Sequence, residues 1–330
     1  MNTAVLASVA PGWLGWLGEL LTQSLSVVAA LLLAPLLAGW VAQCRAWLSN
    51  RSAPPLWQPY WRLRKLFVRQ PVVPDTASPL FRAVPYILLG SMSAAAAIIP
   101  SLTTELPLAA VADAIALVGL FALSRVFQAL AAMDPGTAFG GLGARREMML
   151  GFLAEPALLM VLFSASLMAG STQLPVVAEV LQRHGPSIHP ALAFGAVAFV
   201  MVLLAENARL PVDNPSTHLE LTMVHEAMVL EYAGRHLALV EWAQWLKLFN
   251  YACMGFAMFA PWGIATRSES LWWLLPALAA LLGKLGLAGA AIALVETSSA
   301  KLRVFRAPEF LATAFLLAVL GLWVGLMLEP

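Results

Sequence analysis

The sequence predicts an all-α, polytopic membrane helical bundle of about eight transmembrane helices, with a short interfacial helix and a cytoplasmic acidic helix. Three observations predict it. First, 61% of the 330 residues are hydrophobic and only 11% are charged, with a mean hydropathy of +0.80. Soluble domains carry about 25% charged residues, and one of this size could not bury so much apolar surface. Second, apolar runs near the spanning length of about 20 residues recur along the chain. Third, the basic residues cluster in alternate connecting segments, as topology by positive charge requires.

The apolar runs fall at residues 21–43, 84–104, 107–130, 148–170, 190–208, 238–264, 271–296 and 309–328. Small residues are frequent within them, as in SMSAAAAI (91–98) and GLAGAAIA (286–293). Small side chains let helices approach closely in lipid, so one integral membrane domain over residues 1–330 is expected. The N-terminus lacks the basic segment of a secretory signal, and the first run reads as a retained span. The segments after runs one, three, five and seven (about 44–83, 131–147, 206–237 and 297–308) carry 14 of the 19 Lys and Arg residues. The opposite side has only Arg183 and Arg267. This places the basic segments in the cytoplasm of an inner-membrane protein, with both termini outside. An odd span count would break the alternation.

Within the first basic segment, PPLWQPYWRLRKLFVRQP (54–71) alternates rings and aliphatic residues with Arg62, Arg64, Lys65 and Arg69. That suits a short helix lying at the lipid interface. It is either a topology anchor or a surface that docks a partner or frames a cavity entrance, with Arg303 and Arg306 on the same side.

Ionisable groups inside spans cost about 2.5–3.5 kcal/mol or more at mid-membrane. This chain places Asp113, Arg125, Glu155, Glu241, Lys247, Lys284 and Glu296 within its apolar runs. Those near run ends can snorkel; Asp113, Glu155, Lys247 and Lys284 read as deeper. Together they suggest a polar path inside the bundle, with paired structural charges as the alternative. The glycine-rich GTAFGGLGARRE (136–147) reads as a turn ahead of the fourth span, whose Arg145–Arg146 pair could neutralise carboxylates nearby.

Residues 205–236 hold five of the 18 carboxylates and three of the five histidines. A proline-broken segment with Glu206, Arg209 and Asp213 leaves the fifth span. From Ser216 to Tyr232 there is no Gly or Pro, and Thr217 with Glu220 fits a capping box. A helix bearing Glu220, Glu226 and Glu231 is expected, ending at Gly234.

Several chemistries are excluded. HEAMV (225–229) lacks the second histidine of a zinc-protease pair. Cys44 and Cys253 are far apart and no CxxC exists, so neither a zinc knuckle nor an iron–sulfur cluster can be held. There is no nucleophile elbow, P-loop or Rossmann motif. The chain reads as binding no metal or redox centre of its own and no nucleic acid.

The pattern E-x-x-R-x-P-x-D at 206–213, followed by the acidic segment and EYAG (231–234), resembles the signature of the complex I subunit 1 family of NADH–quinone oxidoreductases. Residues 55–86, 130–156, 246–263 and 293–311 resemble further parts of its hydrogenase branch, of the formate hydrogenlyase and hydrogenase-4 kind. The likeness covers nearly the whole chain. It departs at Ser216 and His218, where the family has more Glu, and by about one helical turn between Glu220 and Glu231.

The resemblance implies an eight-span subunit at the heel of an L-shaped complex, docking a soluble redox arm and starting a proton path. It implies path roles for Glu155, Glu206, Asp213, Glu220 and Glu231, with Arg146 and Arg209 supporting them; Asp113, Lys284 and Glu296 are the other candidate supporting charges. It implies hydrogenase-like large and small subunits, Fe–S subunits and antiporter-like membrane subunits as partners, which would carry the [NiFe] site and clusters. A quinone-site subunit of a true NADH–quinone oxidoreductase and a stand-alone ion transporter stay open as alternatives.

Overall fold

A computed structural model of the chain describes residues 13–110, 113–183, 190–209, 212, 224–266, 273–300 and 306–328. The helices are α1 (Trp13–Leu48), α2 (Gln58–Val68), α3 (Pro79–Ile98), α4 (Ala114–Met133), α5 (Ala138–Ala169), α6 (Leu174–Arg183), α7 (Pro190–Glu206), α8 (His225–Val229), α9 (Gly234–Phe259), α10 (Leu274–Ser298) and α11 (Ala307–Leu328). Among the described residues the β pairing is an isolated parallel bridge between Thr103 and Ala265.

Eight of these helices stand at the eight expected runs. Helices α1, α3, α4, α5, α10 and α11 are long and apolar enough to cross a membrane, and α7 is a shorter apolar helix. Helix α9 has 26 residues, but Glu241, Gln244, Lys247 and Asn250 dilute its hydropathy. The chain is therefore a polytopic helical membrane bundle. Helix α9 runs through its centre against α1, α2, α3, α6 and α7, while α11 packs on α5 and α7, and α10 on α1. Tyr251, Phe249, Leu246 and Met254 of α9 are fully buried.

Three local expectations change. The second span ends at Ile98, ahead of Pro100, and the third begins only at Ala114. Asp113 is thus a helix N-cap, its carboxylate accepting from Ala116 N–H at 3.0 Å, and not a mid-span charge. A short acidic side chain satisfies an orphan N–H at a helix start better than lipid could. The glycine-rich 136–147 segment is helical from Ala138 onward. Its glycines serve close approach: a Cβ at Gly143 would lie 2.8 Å from Val224 O and 3.0 Å from Ala227 Cβ. Finally, the acidic helix expected from Ser216 to Tyr232 is described only from Val224, as the five-residue α8 and a turn at Leu230–Glu231. Gly234 opens α9 instead of closing α8, with φ +55°, and a Cβ there would sit 2.7 Å from Gln70 C.

The interfacial helix α2 is present, with Pro59 at its start and Leu63 buried. The chain doubles back through residues 49–57. The Tyr60 hydroxyl donates to Leu32 O on α1, and Leu56 lies against Gly39. Leu32 precedes the end of α1 by sixteen residues, about 24 Å of helix. So α2 packs beside the middle of α1, not at its tip. Trp242 fixes the same level by donating to Leu31 O at 3.0 Å.

Two ties set the bundle ends. At the end holding the basic segments, Asp134 accepts from Ser78 N–H at 2.7 Å and Tyr232 donates to Phe81 O at 3.1 Å, its ring stacked 4.1 Å from Phe81. Burial pushes the Tyr232 phenol up, with the Asp134 charge adding to it. At the opposite end, Ala265 donates to Leu102 O at 2.9 Å and Thr104 to Ala265 O at 3.0 Å.

The Gly39 contact is testable. An alanine Cβ at 39 would lie 3.3 Å from Leu56 C and closer still to its carbonyl oxygen, whereas a Cβ at Gly90 meets nothing within 4 Å. Overpacking costs about 1–3 kcal/mol. Gly39→Ala should lower the thermal unfolding midpoint of the detergent-solubilised protein, while Gly90→Ala leaves it unchanged or raised.

Candidate functional site

Arg125 stands on α4, an otherwise apolar helix, and its side chain is only 3% exposed. An unpaired guanidinium could not remain there. It is met on three sides. Nε lies 3.6 Å from Glu147 Oε1, Nη1 pairs with Glu155 on α5, and Nη2 pairs with Glu206 at the end of α7. Glu206 is held from its other side by Lys247 of α9, 2.8 Å from Oε2. One charge chain therefore joins four helices.

The space for this guanidinium comes from a missing side chain. A Cβ at Gly151, on the facing turn of α5, would lie 2.7 Å from Arg125 Cδ and 2.9 Å from Cζ. The set holds three carboxylates (Glu147, Glu155, Glu206) and two cations (Arg125, Lys247). Counting these groups alone, it carries one excess negative charge and is neutral with one proton bound. Buried charge sets favour balance, so such a cluster can take up and release a proton.

A second knot lies beside it. Ala208 takes the left-handed conformation, φ 49°, where the chain leaves α7. Arg209 then reaches Glu296 of α10 at 2.8 Å, and Arg45 of α1 stands 3.6 Å from the other Glu296 oxygen. A third pair joins Arg62 of α2 to buried Glu241 of α9. A cavity of about 280 Å³ connects all three, touching Arg45, Arg62, Glu206, Arg209 and Lys247. Gln128 and Gln244 also line it, and their amide nitrogens find no hydrogen-bond partner among the described residues. Water needs roughly 10–15 Å³ and a few polar partners, so the cavity suits a chain of waters reaching Glu206.

The structure sorts the expected residues. Glu155 and Glu206 come together through Arg125, and Arg209 and Glu296 pair next to them. Arg146 is half-buried beside Glu147. Glu231 is half-buried in the turn after α8 and makes no ion pair among the described residues. Asp213, Glu220 and Arg303 lie outside the described residues. Arg306 is exposed at the foot of α11. Arg62 is engaged by Glu241, while Arg64 and Lys65 are exposed.

Lys284 is elsewhere: it donates to Ala260 O at the end of α9, at 2.6 Å. Ala260 is thirteen residues past Lys247, about 20 Å along the helix. It closes a helix C-terminus, where cations are favourable. Asp113, an N-cap, is likewise outside the cluster. Of this cluster, Glu147 is absent from the sequence-based expectations, and Arg125 and Lys247 stand there only as charges within the apolar runs, without a role of their own. The signal was an arginine in the middle of an apolar helix, which hydropathy alone reads as a span-end charge.

The comparisons bear on this geometry. The sequence profile of the NADH dehydrogenase family matches residues 22–327. The chain belongs to that family. It is 36% identical over 298 residues to hydrogenase-4 component C of Escherichia coli (strain K12), covering 90% of this chain and 92% of that protein. It is also 36% identical over 291 residues to formate hydrogenlyase subunit 4 of the same organism, covering 87% and 92%. Among solved structures, a chain of the membrane-bound sulfane sulfur reductase, an archaeal respiratory membrane complex, superposes with a TM-score of 0.80 at 20% identity. That match covers 93% of this chain and 99% of the other, and it supports the fold of this NADH dehydrogenase family member.

The Arg125 knot makes a stability prediction. Removing one partner of a buried charge set costs about 3–5 kcal/mol. Arg125→Met should lower the thermal midpoint strongly, and adding Glu206→Gln should recover part of the loss. Gly151→Val should resemble Arg125→Met, because the guanidinium is pinned by three carboxylates and cannot swing away. Unchanged midpoints in all three would show that the charges do not hold the helices together.

Proposed function

We propose that this chain is the non-catalytic, membrane-anchoring and ion-coupling subunit of a complex I-like, membrane-bound hydrogenase. Its relatives are named as subunits of hydrogenase-4 and formate hydrogenlyase. The observation that carries the coupling role is the Arg125 cluster beneath the polar cavity, with one carboxylate more than its cations. In this reading the basic end faces the cytoplasm of a cell whose inner membrane holds the protein, with both termini outside. Hydrogenase-like large and small subunits and Fe–S subunits form the soluble arm, seated over the cavity, with the exposed Arg306 as a docking charge.

Electron transfer happens in that arm. Its charge changes bias the pairing of Arg45, Arg62, Arg209 and Lys247 at the cavity. A proton enters along the cavity to Glu206 and is held by the Arg125 set. The next carboxylate is Glu155, whose side chain is 34% exposed on the flank of the bundle. Phe152 and Pro156 beside it are also exposed. A half-open carboxylate facing lipid is costly. The flank therefore suits a second, antiporter-like membrane subunit that accepts the proton.

Guanidinium, ammonium and amide groups share the cavity wall with Leu88, Val240, Trp245 and Leu248, and the coupling step proposed here runs through the charged groups and water alone.

In the whole complex, Glu206→Gln and Glu155→Gln should keep hydrogenase electron transfer while losing most coupled proton translocation, read as pH change in inverted vesicles. Full translocation in both variants would remove the coupling role. Deletion of the protein should release the soluble arm from membranes; an arm that stays attached and fully active would remove the anchoring role.

A further inference from the structure

The interfacial helix α2 has two faces, and only one is used by the fold. Tyr60, Leu63 and Leu66 turn inward, and Phe67 meets Trp242 edge-on at 6.2 Å. On the opposite face Trp57, Trp61, Arg64 and Val68 fall at i, i+4, i+7 and i+11, one stripe of a helix surface. Trp57 is 57%, Trp61 60% and Val68 81% exposed. Lys65 and Arg69 flank the stripe, also exposed. None of Arg64, Lys65 and Arg69 makes an ion pair among the described residues, in contrast to Arg62. A surface hollow of about 580 Å³ is bounded by Trp61, Arg64, Lys65, Val68 and Arg69.

We propose that this outer face of α2 is a binding surface for anionic phospholipid headgroups, the phosphate held by Arg64, Lys65 and Arg69 and the acyl-glycerol region by the Trp57–Trp61–Val68 stripe. Two observations select lipid over a soluble acidic protein. The face combines large exposed rings with cations, the composition of a helix at the headgroup boundary. And α2 lies level with Leu32 of α1, with Leu21, Leu25 and Val28 exposed on the N-terminal side of that level. Acyl chains cover that apolar stretch, and α2 lies at its border, where headgroups begin. This reassigns Arg64 and Lys65 from docking the soluble arm to seating the bundle, and it stands independently of the coupling reading.

The test uses the full-length protein in detergent and native mass spectrometry, with phosphatidylglycerol and phosphatidylcholine of identical acyl chains. Each Lys or Arg near an anionic surface contributes about fivefold to partitioning. The wild type should retain phosphatidylglycerol at least about fivefold over phosphatidylcholine, and Arg64→Gln/Lys65→Gln/Arg69→Gln should lose the preference. Trp57→Ser/Trp61→Ser should weaken retention of both lipids, and excess inorganic phosphate should not displace phosphatidylglycerol. All five residues are exposed, so the thermal midpoints of the variants should match the wild type. No preference in the wild type, an unchanged preference in the triple variant, or displacement by phosphate overturns the proposal. So does a triple variant that keeps its lipid but sheds the soluble arm from membranes, which would assign the face to a protein.

Discussion

Much of the bundle is organised around one guanidinium. Arg125 sits in a helix that is otherwise apolar, so α4 alone in lipid would carry a charge costing at least about 2.5–3.5 kcal/mol. Three carboxylates, one of them shared with Lys247, remove that cost only if α4, α5, α7 and α9 are in register. Buried ion pairs contribute little net stability against apolar replacements. Their effect here is selection: a sliding of α5 by one turn would move Glu155 and Gly151 together, and the guanidinium would lose both its partner and its space. The same demand accounts for a glycine at 151, where helix propensity alone would favour alanine.

The titratable groups are unevenly distributed along the bundle axis. On α9 the polar residues Glu241, Gln244, Lys247 and Tyr251 follow one another, and beyond them come the buried Met254, Ala257 and Met258. At the far end Lys284 is spent on a backbone carbonyl, and Leu102, Thr104 and Ala265 are tied by backbone hydrogen bonds. A charge carried inward from the basic end therefore meets an apolar block if it continues straight. The low-cost direction is sideways, through Glu155 on α5. This geometry suits a subunit that hands charge to a neighbour and not one that conducts it across alone.

The sequence shows the bundle well and the site only partly. Spans are legible because bilayer thickness acts on composition in one dimension, and runs such as 309–328 have few competing readings. Glu206 and Arg209 were legible because they interrupt an apolar run in a recognisable pattern. The fate of an intramembrane charge was less so. Asp113 and Arg125 lie in the same run, yet one caps a helix and the other is buried among three acids. The difference depends on where the helix begins and on what faces it, and neither is a local property. Glycine is ambiguous for a similar reason. In 136–147 it signals a turn by propensity, but the structure uses Gly140 and Gly143 for contact with neighbouring chain segments within a helix.

The short run Arg62-Leu63-Arg64-Lys65 shows how much a helical period decides. As a linear string it is one basic patch. Wound into α2, Leu63 becomes the buried residue, and the cations on either side of it are turned to different surroundings. Arg62 reaches Glu241 and the cavity, so its charge is coupled to the internal network. Arg64 and Lys65 look outward beside Trp61 and have no acid near them among the described residues. Helix α2 thereby joins the titratable interior to the membrane surface through neighbouring positions. A change in the seating of α2 moves Arg62 relative to Glu241 and alters one wall of the cavity that leads to Glu206. The doubling back of residues 49–57, with Leu56 close against Gly39 and Tyr60 bonded to Leu32, holds that wall beside the middle of α1.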